Sequence, residues 1–259
     1  MGEGCSILPL ELDNVSFEAG GKRLIKDLSH TFERALRTVI IGPNGAGKSL
    51  LLRLCHGLIG ASAGRIVWHG AGGRDPAPYQ GMVFQRPIML RRSVAANVDY
   101  ALALRGIRRR QRPVLVEEAL VHTGLKRFAR QPARLLSFGE QQKLALARVW
   151  ALKPQVLFLD EPTASLDPTA THTVEEIIAA FHAAGTRIVL TTHDLGQARR
   201  LADEVLFLHR GRLLEKAPAA RFFAKPANDL AEAFIRGELL WWRRGIDRRE
   251  KPVGEKAID

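Results

Sequence analysis

The segment Gly42-Pro43-Asn44-Gly45-Ala46-Gly47-Lys48-Ser49 constrains this chain more than any other. It fits the spacing G-x-x-x-x-G-K-[ST] of a phosphate-binding loop, which has to lie between a strand and a helix. Its glycines let backbone N–H groups turn inward around phosphate oxygens. Lys48 supplies a point charge at the β- and γ-phosphates, and the Ser49 hydroxyl is placed to ligate magnesium. The flanks agree. Thr38 to Ile41 is a short β-branched run, and Leu50 to Leu58 has helical character up to Gly60.

Further strands are expected at Leu10 to Phe17, Leu24 to Phe32, Ile66 to Trp68 and Met82 to Phe84. From Ser93 to Trp150 strand-like runs disappear. Val114 to Thr123 and Gln141 to Leu152 read as helices, so the segment is a helical insertion between two halves of a nucleotide-binding core. Strands return at Val156 to Leu159, Arg187 to Thr191, Val205 to His209 and Leu213-Leu214. Thr171 to His182 reads as a crossover helix of a parallel sheet. The expected fold class is α/β: a phosphate-loop NTPase core, an antiparallel β portion and a helical subdomain at about 86–152, all within a domain spanning 1–225. A helical tail follows at 226–259.

The apolar strand Val156 to Leu159 ends in Asp160-Glu161, at the rim where such sheets hold ligands. Asp160 is placed to hold magnesium through its water shell, and Glu161 is the candidate general base toward a water in line with the γ-phosphate. The bland alternative is a pair of surface carboxylates.

Leu136-Ser137-Phe138-Gly139-Glu140, followed by Gln141, resembles the signature of the ATP-binding cassette family. The resemblance covers roughly residues 10 to 225. It implies ATP on Gly42, Pro43, Asn44, Gly45, Ala46, Gly47, Lys48, Ser49 and Leu50, with Mg2+ at Ser49, Gln85 and Asp160. His193, in Thr191-Thr192-His193-Asp194, would contact the γ-phosphate and orient the attacking water. Gln85 resembles the family's glutamine loop, which links magnesium to the helical lobe. Ser165-Leu166-Asp167 resembles the loop that crosses to a second subunit, and Asp167 is its candidate nucleotide contact. Ser137, Gly139 and Glu140 precede or open a helix expected from Gln141, whose N-terminus would cap the phosphate of ATP held by the opposite subunit. A head-to-tail pair of copies is therefore implied.

Two departures stand out. The usual signature has Gly where this chain has Phe138. The adenine-stacking aromatic slot holds Ala19, and Phe17, on the same strand face by period, is the substitute.

The resemblance implies an ATP-hydrolysing subunit of a membrane transporter, with separately encoded permease subunits and, indirectly, an external binding protein. Met82 to Pro87 and His193 to Glu204 look like importer ATPases serving oxyanions, tungstate first, with molybdate and phosphate nearby. The chain shows no secretory signal and lacks the extra C-terminal β domain that some importer ATPases carry, and the resemblance implies a peripheral place on the cytoplasmic face of the inner membrane. An exporter ATPase and a soluble DNA-associated cassette are the rivals. The net charge of +12 fits an anionic neighbour. However, the insertion has no sustained heptads of the kind found in chromosome-type members, and no nucleic-acid partner is expected.

The basic clusters at Arg105 to Arg112 and Arg236 to Lys251 read first as solvated helix faces. Trp241-Trp242 fits either a membrane interface or packing of the tail onto the domain, with packing favoured. Cys5 and Cys55 have neither metal nor redox spacing, and Cys55, among leucines, reads as a small core residue.

Overall fold

A computed structural model describes residues 6–34 and 36–238. Cys5, Trp241, Trp242 and most of the second basic cluster lie outside the described residues.

The first half of the chain holds β1 (Leu10–Ala19), β2 (Lys22–Phe32), β3 (Arg37–Ile41), α1 (Lys48–His56), β4 (Ala63–Trp68) and β5 (Gln80–Val83). Three helices follow, α2 (Val94–Leu104), α3 (Arg112–His122) and α4 (Phe138–Trp150). The second half alternates β6 (Val156–Asp160), α5 (Pro168–Ala183), β7 (Arg187–Thr191), α6 (Leu195–Leu201), β8 (Glu204–His209) and β9 (Arg212–Pro218), and closes with α7 (Ala219–Ala224) and α8 (Asp229–Ile235).

The strands form a six-stranded sheet in the order β5-β6-β7-β3-β8-β9, parallel except for the hairpin β8-β9. A separate antiparallel sheet has the order β2-β1-β4. The central strands are apolar on both faces, as a sheet covered on both sides requires. Their period of two sorts side chains between two cores. Leu157, Leu159, Ile188, Leu190, Val205 and Phe207 enter one, while Phe158, Val189, Leu206 and Leu208 enter the other.

The first core is closed by α5, whose Val174, Ile177, Ile178 and Phe181 recur at the helical spacing i, i+3, i+4, i+7. The second is closed by α1 and by the antiparallel sheet. A third cluster, built from Val94, Val98, Leu102, Val116, Leu120 and Leu144, holds α2, α3 and α4 together. Tail helix α8 packs Ala231, Leu230 and Phe234 on the first core, and Glu215 accepts hydrogen bonds from the Ala227 and Asn228 N–H groups at its start.

Helix boundaries differ from expectation by up to three residues, and α5 likewise starts at Pro168 rather than Thr171, capped by Asp167; two of these differences bear on the site. Helix α1 starts at Lys48 and stops at His56, because Gly57 (φ 83°) takes the left-handed conformation that ends helices, with Leu58 N–H reaching back to Arg53 O. Helix α4 starts at Phe138, three residues before Gln141. Ser137 and Glu140 form a reciprocal capping box there and set the start. Cys55 is a buried core residue, and burial pushes its thiol well above the usual range.

Candidate functional site

The parallel strands end side by side, and the candidate residues collect at those ends. The phosphate loop follows β3, Asp160 ends β6 with Glu161 next, Thr191 ends β7 two residues before His193, and Gln85 lies two residues past β5. This is the rim where open parallel sheets hold ligands.

The loop is held tightly to the fold. A Cβ at Gly42 (φ 149°) would lie 2.0 Å from Leu208 O, and one at Gly47 (φ 102°) would lie 2.8 Å from Ile25 Cδ1. Larger side chains are excluded at Gly42 by the backbone carbonyl and its backbone angle, and are strained at Gly47 by the backbone angle. Lys48 is 6% exposed. Its ammonium donates to Gly42 O at 2.8 Å and Pro43 O at 3.2 Å, and lies 3.9 Å from Glu161 Oε1. Burial pulls its pKa below the usual lysine range, against the opposing pull of Glu161 and Asp160.

Asp160 is buried, and its Oδ1 accepts from the Ser49 hydroxyl at 2.8 Å and from the Thr191 hydroxyl at 2.8 Å. The carboxylate thus joins α1, β6 and β7. Glu161 follows in a left-handed conformation, φ 46°. For a non-glycine residue this costs on the order of 1–3 kcal/mol. The backbone is held there by its N–H, which donates to Thr191 O and Thr191 Oγ1 at 3.1 Å each. The turn aims the carboxylate back across the strand ends, where Oε2 lies 2.8 Å from His193 Nδ1. The glutamate side chain is 16% exposed and the imidazole 59% exposed. A carboxylate between an imidazole and an ammonium is able to accept a proton from a water.

The structure brings Lys48, Ser49, Asp160, Glu161 and His193 together. Gln85 is exposed just beyond Val83, whose strand partner Leu159 precedes Asp160. Phe17 is half-buried against the apolar cluster that includes Ala46 of the loop, with register shifts on either side of it, whereas Ala19 is exposed.

The signature residues belong to a different neighbourhood. Ser137 Oγ accepts from Glu140 N–H at 3.3 Å, and Glu140 Oε2 accepts from Ser137 N–H at 2.9 Å. A Cβ at Gly139 would lie 3.1 Å from Ala170 Cβ and 3.7 Å from Leu166 Cδ2, so this helix start packs against the first turn of α5 and the loop that leads into it from Glu161. Asp167 caps α5 by accepting from Ala170 N–H at 2.8 Å.

Sequence reasoning missed two polar residues. Thr191 binds both carboxylate residues, and Gln197 of α6 is fully buried and reaches Thr163. Thr191 sits next to the Thr192-His193-Asp194 pattern, the one signal that pointed to it.

The sequence profile of the ABC transporter family matches residues 25–164. The tungstate uptake system ATP-binding protein TupC of Peptoclostridium acidaminophilum is 38% identical over 209 residues, covering 80% of this chain and 98% of that protein. The phosphate import ATP-binding protein PstB 2 of Natronomonas pharaonis is 37% identical over 252 residues, covering 90% of this chain and 88% of that protein. Among solved structures, cbiO1 from Clostridium perfringens, part of the ABC transporter complex cbiONQ, superposes with a TM-score of 0.75 at 26% identity, over 88% of this chain and 94% of that one. The same fold occurs in a dimeric post-hydrolysis ATP-binding cassette bound to ADP and Pi, with a TM-score of 0.72 at 24% identity, over 81% of this chain and 98% of that one. The match across the phosphate loop and signature, together with relatives aligned over most of their length, establishes that this chain belongs to the ABC transporter family and is one of its ATP-binding ATPases.

Proposed function

We propose that this chain powers a membrane importer by hydrolysing ATP with Glu161 as general base. The observation that carries the reading is the strained Glu161 backbone, which aims its carboxylate at His193 and beside Lys48. Gly42 to Leu50 surround the phosphates and Lys48 pairs with their charge. Glu161 takes a proton from the water attacking the γ-phosphorus as the bond to ADP breaks, and His193 orients that water. Phe17 supplies the apolar face for adenine.

Ser49 and Asp160, with Gln85 as the proposed third ligand, would offer oxygen donors, which suit a hard cation such as Mg2+. Among the described residues, no cluster of three or more His, Cys, Asp or Glu side chains is arranged for a metal, and phosphate oxygens and water would share such a shell with these residues. When bound there, the ion would supply positive charge to offset that of the nucleotide's phosphates.

Residues 1–225 act as the ATP-binding domain, with the helical part at about 86–152 facing permease subunits and 226–259 as a tail. Ser137, Gly139, Glu140 and Asp167 serve the nucleotide of a second copy. No described helix is long and apolar enough to cross a membrane. As the ATP-hydrolysing subunit of such an importer, the chain works at the membrane, on the cytoplasmic face of the permease. The cargo is a tetrahedral oxyanion, tungstate first and molybdate or phosphate next, selected by an external binding protein. Relatives named for tungstate and for phosphate support that class at nearly equal identity.

Two measurements test this. Lys48→Ala should weaken ATP binding in titration calorimetry by about tenfold or more, and equal affinity would sink the loop assignment. Deleting the chain should abolish uptake of tungstate, molybdate or phosphate. If all three persist while uptake of an amino acid or a metal cation stops, the cargo assignment is wrong.

A further inference from the structure

His193 is held weakly by its own surroundings. Its ring is 59% exposed, and the hydrogen bond to Glu161 is the contact that aligns it. Its placement depends on α6, which begins two residues later and is capped by Asp194 accepting from Gln197 N–H at 3.0 Å. The Gln197 side chain is fully buried. Its Nε2 donates to Thr163 Oγ1 at 2.8 Å and to Glu175 Oε1 at 3.2 Å. Glu175, buried on α5, is held by Arg200, which donates from Nε at 2.9 Å and from Nη2 at 2.7 Å. A carboxylate only accepts at this spacing, so Glu175 fixes which end of the amide faces Thr163.

Thr163 lies two residues after Glu161, in a loop with positive φ at Glu161 (46°) and at Ser165 (67°). A strained loop keeps its shape only where its surroundings over-determine it. Within the loop, Ala164 N–H donates to Glu161 O and Leu166 N–H to Thr163 O. The amide of Gln197 gives a side-chain hydrogen bond from that loop to the helix behind His193, beside the apolar packing that Leu166, Leu195 and Ala198 share. It carries a cost, because the buried Oε1 has no partner among the described residues. An aliphatic side chain would avoid leaving that acceptor unmet.

We propose that Gln197 is a positioning residue, which, through Thr163 and with Glu175 and Arg200 bracing it, sets the alignment of His193 with Glu161 during hydrolysis. The proposal rests on the reading of Glu161 and His193 given above. The tether acts on the step in which water is deprotonated, and leaves the phosphate loop untouched. Its loss therefore belongs in kcat, while KM and ATP affinity stay near their original values.

The experiment uses the full chain and compares Thr163→Val, Thr163→Ser and Gln197→Leu with Glu161→Gln as reference. Valine keeps the shape of threonine and removes the acceptor, while serine restores it. Thr163→Val and Gln197→Leu should each lower kcat by about tenfold with KM within about twofold, the scale of one lost hydrogen bond. Thr163→Ser should retain at least about half of the original kcat. The melting temperature of Thr163→Val checks that its fold is intact, and the threonine pair decides the matter if Gln197→Leu fails to fold. The proposal is overturned if Thr163→Val keeps most of its kcat, if Thr163→Ser loses as much as valine, or if the loss falls in KM. A Glu161→Gln variant that still turns over would instead overturn the assignment of the general base.

Discussion

Buried polar side chains carry most of what is specific to this chain. Lys48, Asp160, Gln197 and His30 are each less than a tenth exposed, and each has a different solution to the cost of burial. Lys48 and Asp160 pair with the loop, with hydroxyls and with each other's neighbours. His30 instead stays neutral. It stacks edge-on against Phe32, its Nε2 has no hydrogen-bond partner among the described residues, and burial, reinforced by Lys216 and Arg187, lowers its pKa to about 3. An unfolded histidine titrates near 6.5. Between those values the unfolded chain binds the extra proton, so stability is full above about pH 6.5 and falls as pH drops toward 3. Replacing His30 by Met should flatten this loss by up to about 1.4 kcal/mol per pH unit. Urea unfolding of both proteins at pH 7, 6 and 5 checks it, and parallel pH dependences would refute it. The motif residues Lys48, Ser49, Asp160 and Glu161 could be read from short spacings, and His193 from the family resemblance. Thr191 and Gln197 could not, because their partners Asp160 and Thr163 lie 31 and 34 residues away and meet them only through the sheet order.

The signature helix shows how elements depend on their ends. Phe138 is the first helical residue of α4, so its backbone has ordinary right-handed angles and a glycine is not required there. Gly139 is the position where size matters, through its approach to Ala170 and Leu166. Phe138→Gly should therefore stay active, at a stability cost of about 0.5–1 kcal/mol for a glycine in a helix. Phosphate release and thermal melting measure the two effects, and loss of turnover in a folded Phe138→Gly protein would assign the phenyl ring a role of its own. The strands were readable because apolar and β-branched runs are flanked by turn residues. Helix α2 was not picked out individually, since buried Asn97 interrupts its apolar face while Leu104 is 70% exposed. Helix α6 has only seven residues, too few for periodicity to register, although its capping aspartate was in view.

At the scale of the whole molecule, the phosphate loop sits at the ends of the parallel strands, while the signature caps a helix of the third core and packs against the start of α5 and the loop before it. The side-chain bonds of Ser137 and Glu140 described here run to each other, and those of Lys48 and Ser49 run to the loop and to Asp160. On the proposed reading one chain carries two half-sites for phosphate, and a second copy turned head to tail would let each half complete the other. This pairing was implied by the family resemblance rather than by periodicity or composition, which carry no information about a surface shared between copies. A ligand bound between copies favours the pair by mass action, and hydrolysis removes that ligand. Glu161→Gln should separate the two effects. It keeps the shape of the site and the charge of Lys48 while slowing hydrolysis by about 10²–10⁴. With saturating ATP and magnesium this variant should sediment as a dimer, and without nucleotide as a monomer. The wild type under the same conditions should show less dimer, decaying as ATP is consumed. The run is repeated over a concentration series, because a weak pair dissociates on dilution. A variant that stays monomeric with ATP bound at the highest concentration would mean that the signature of a second copy does not complete the site.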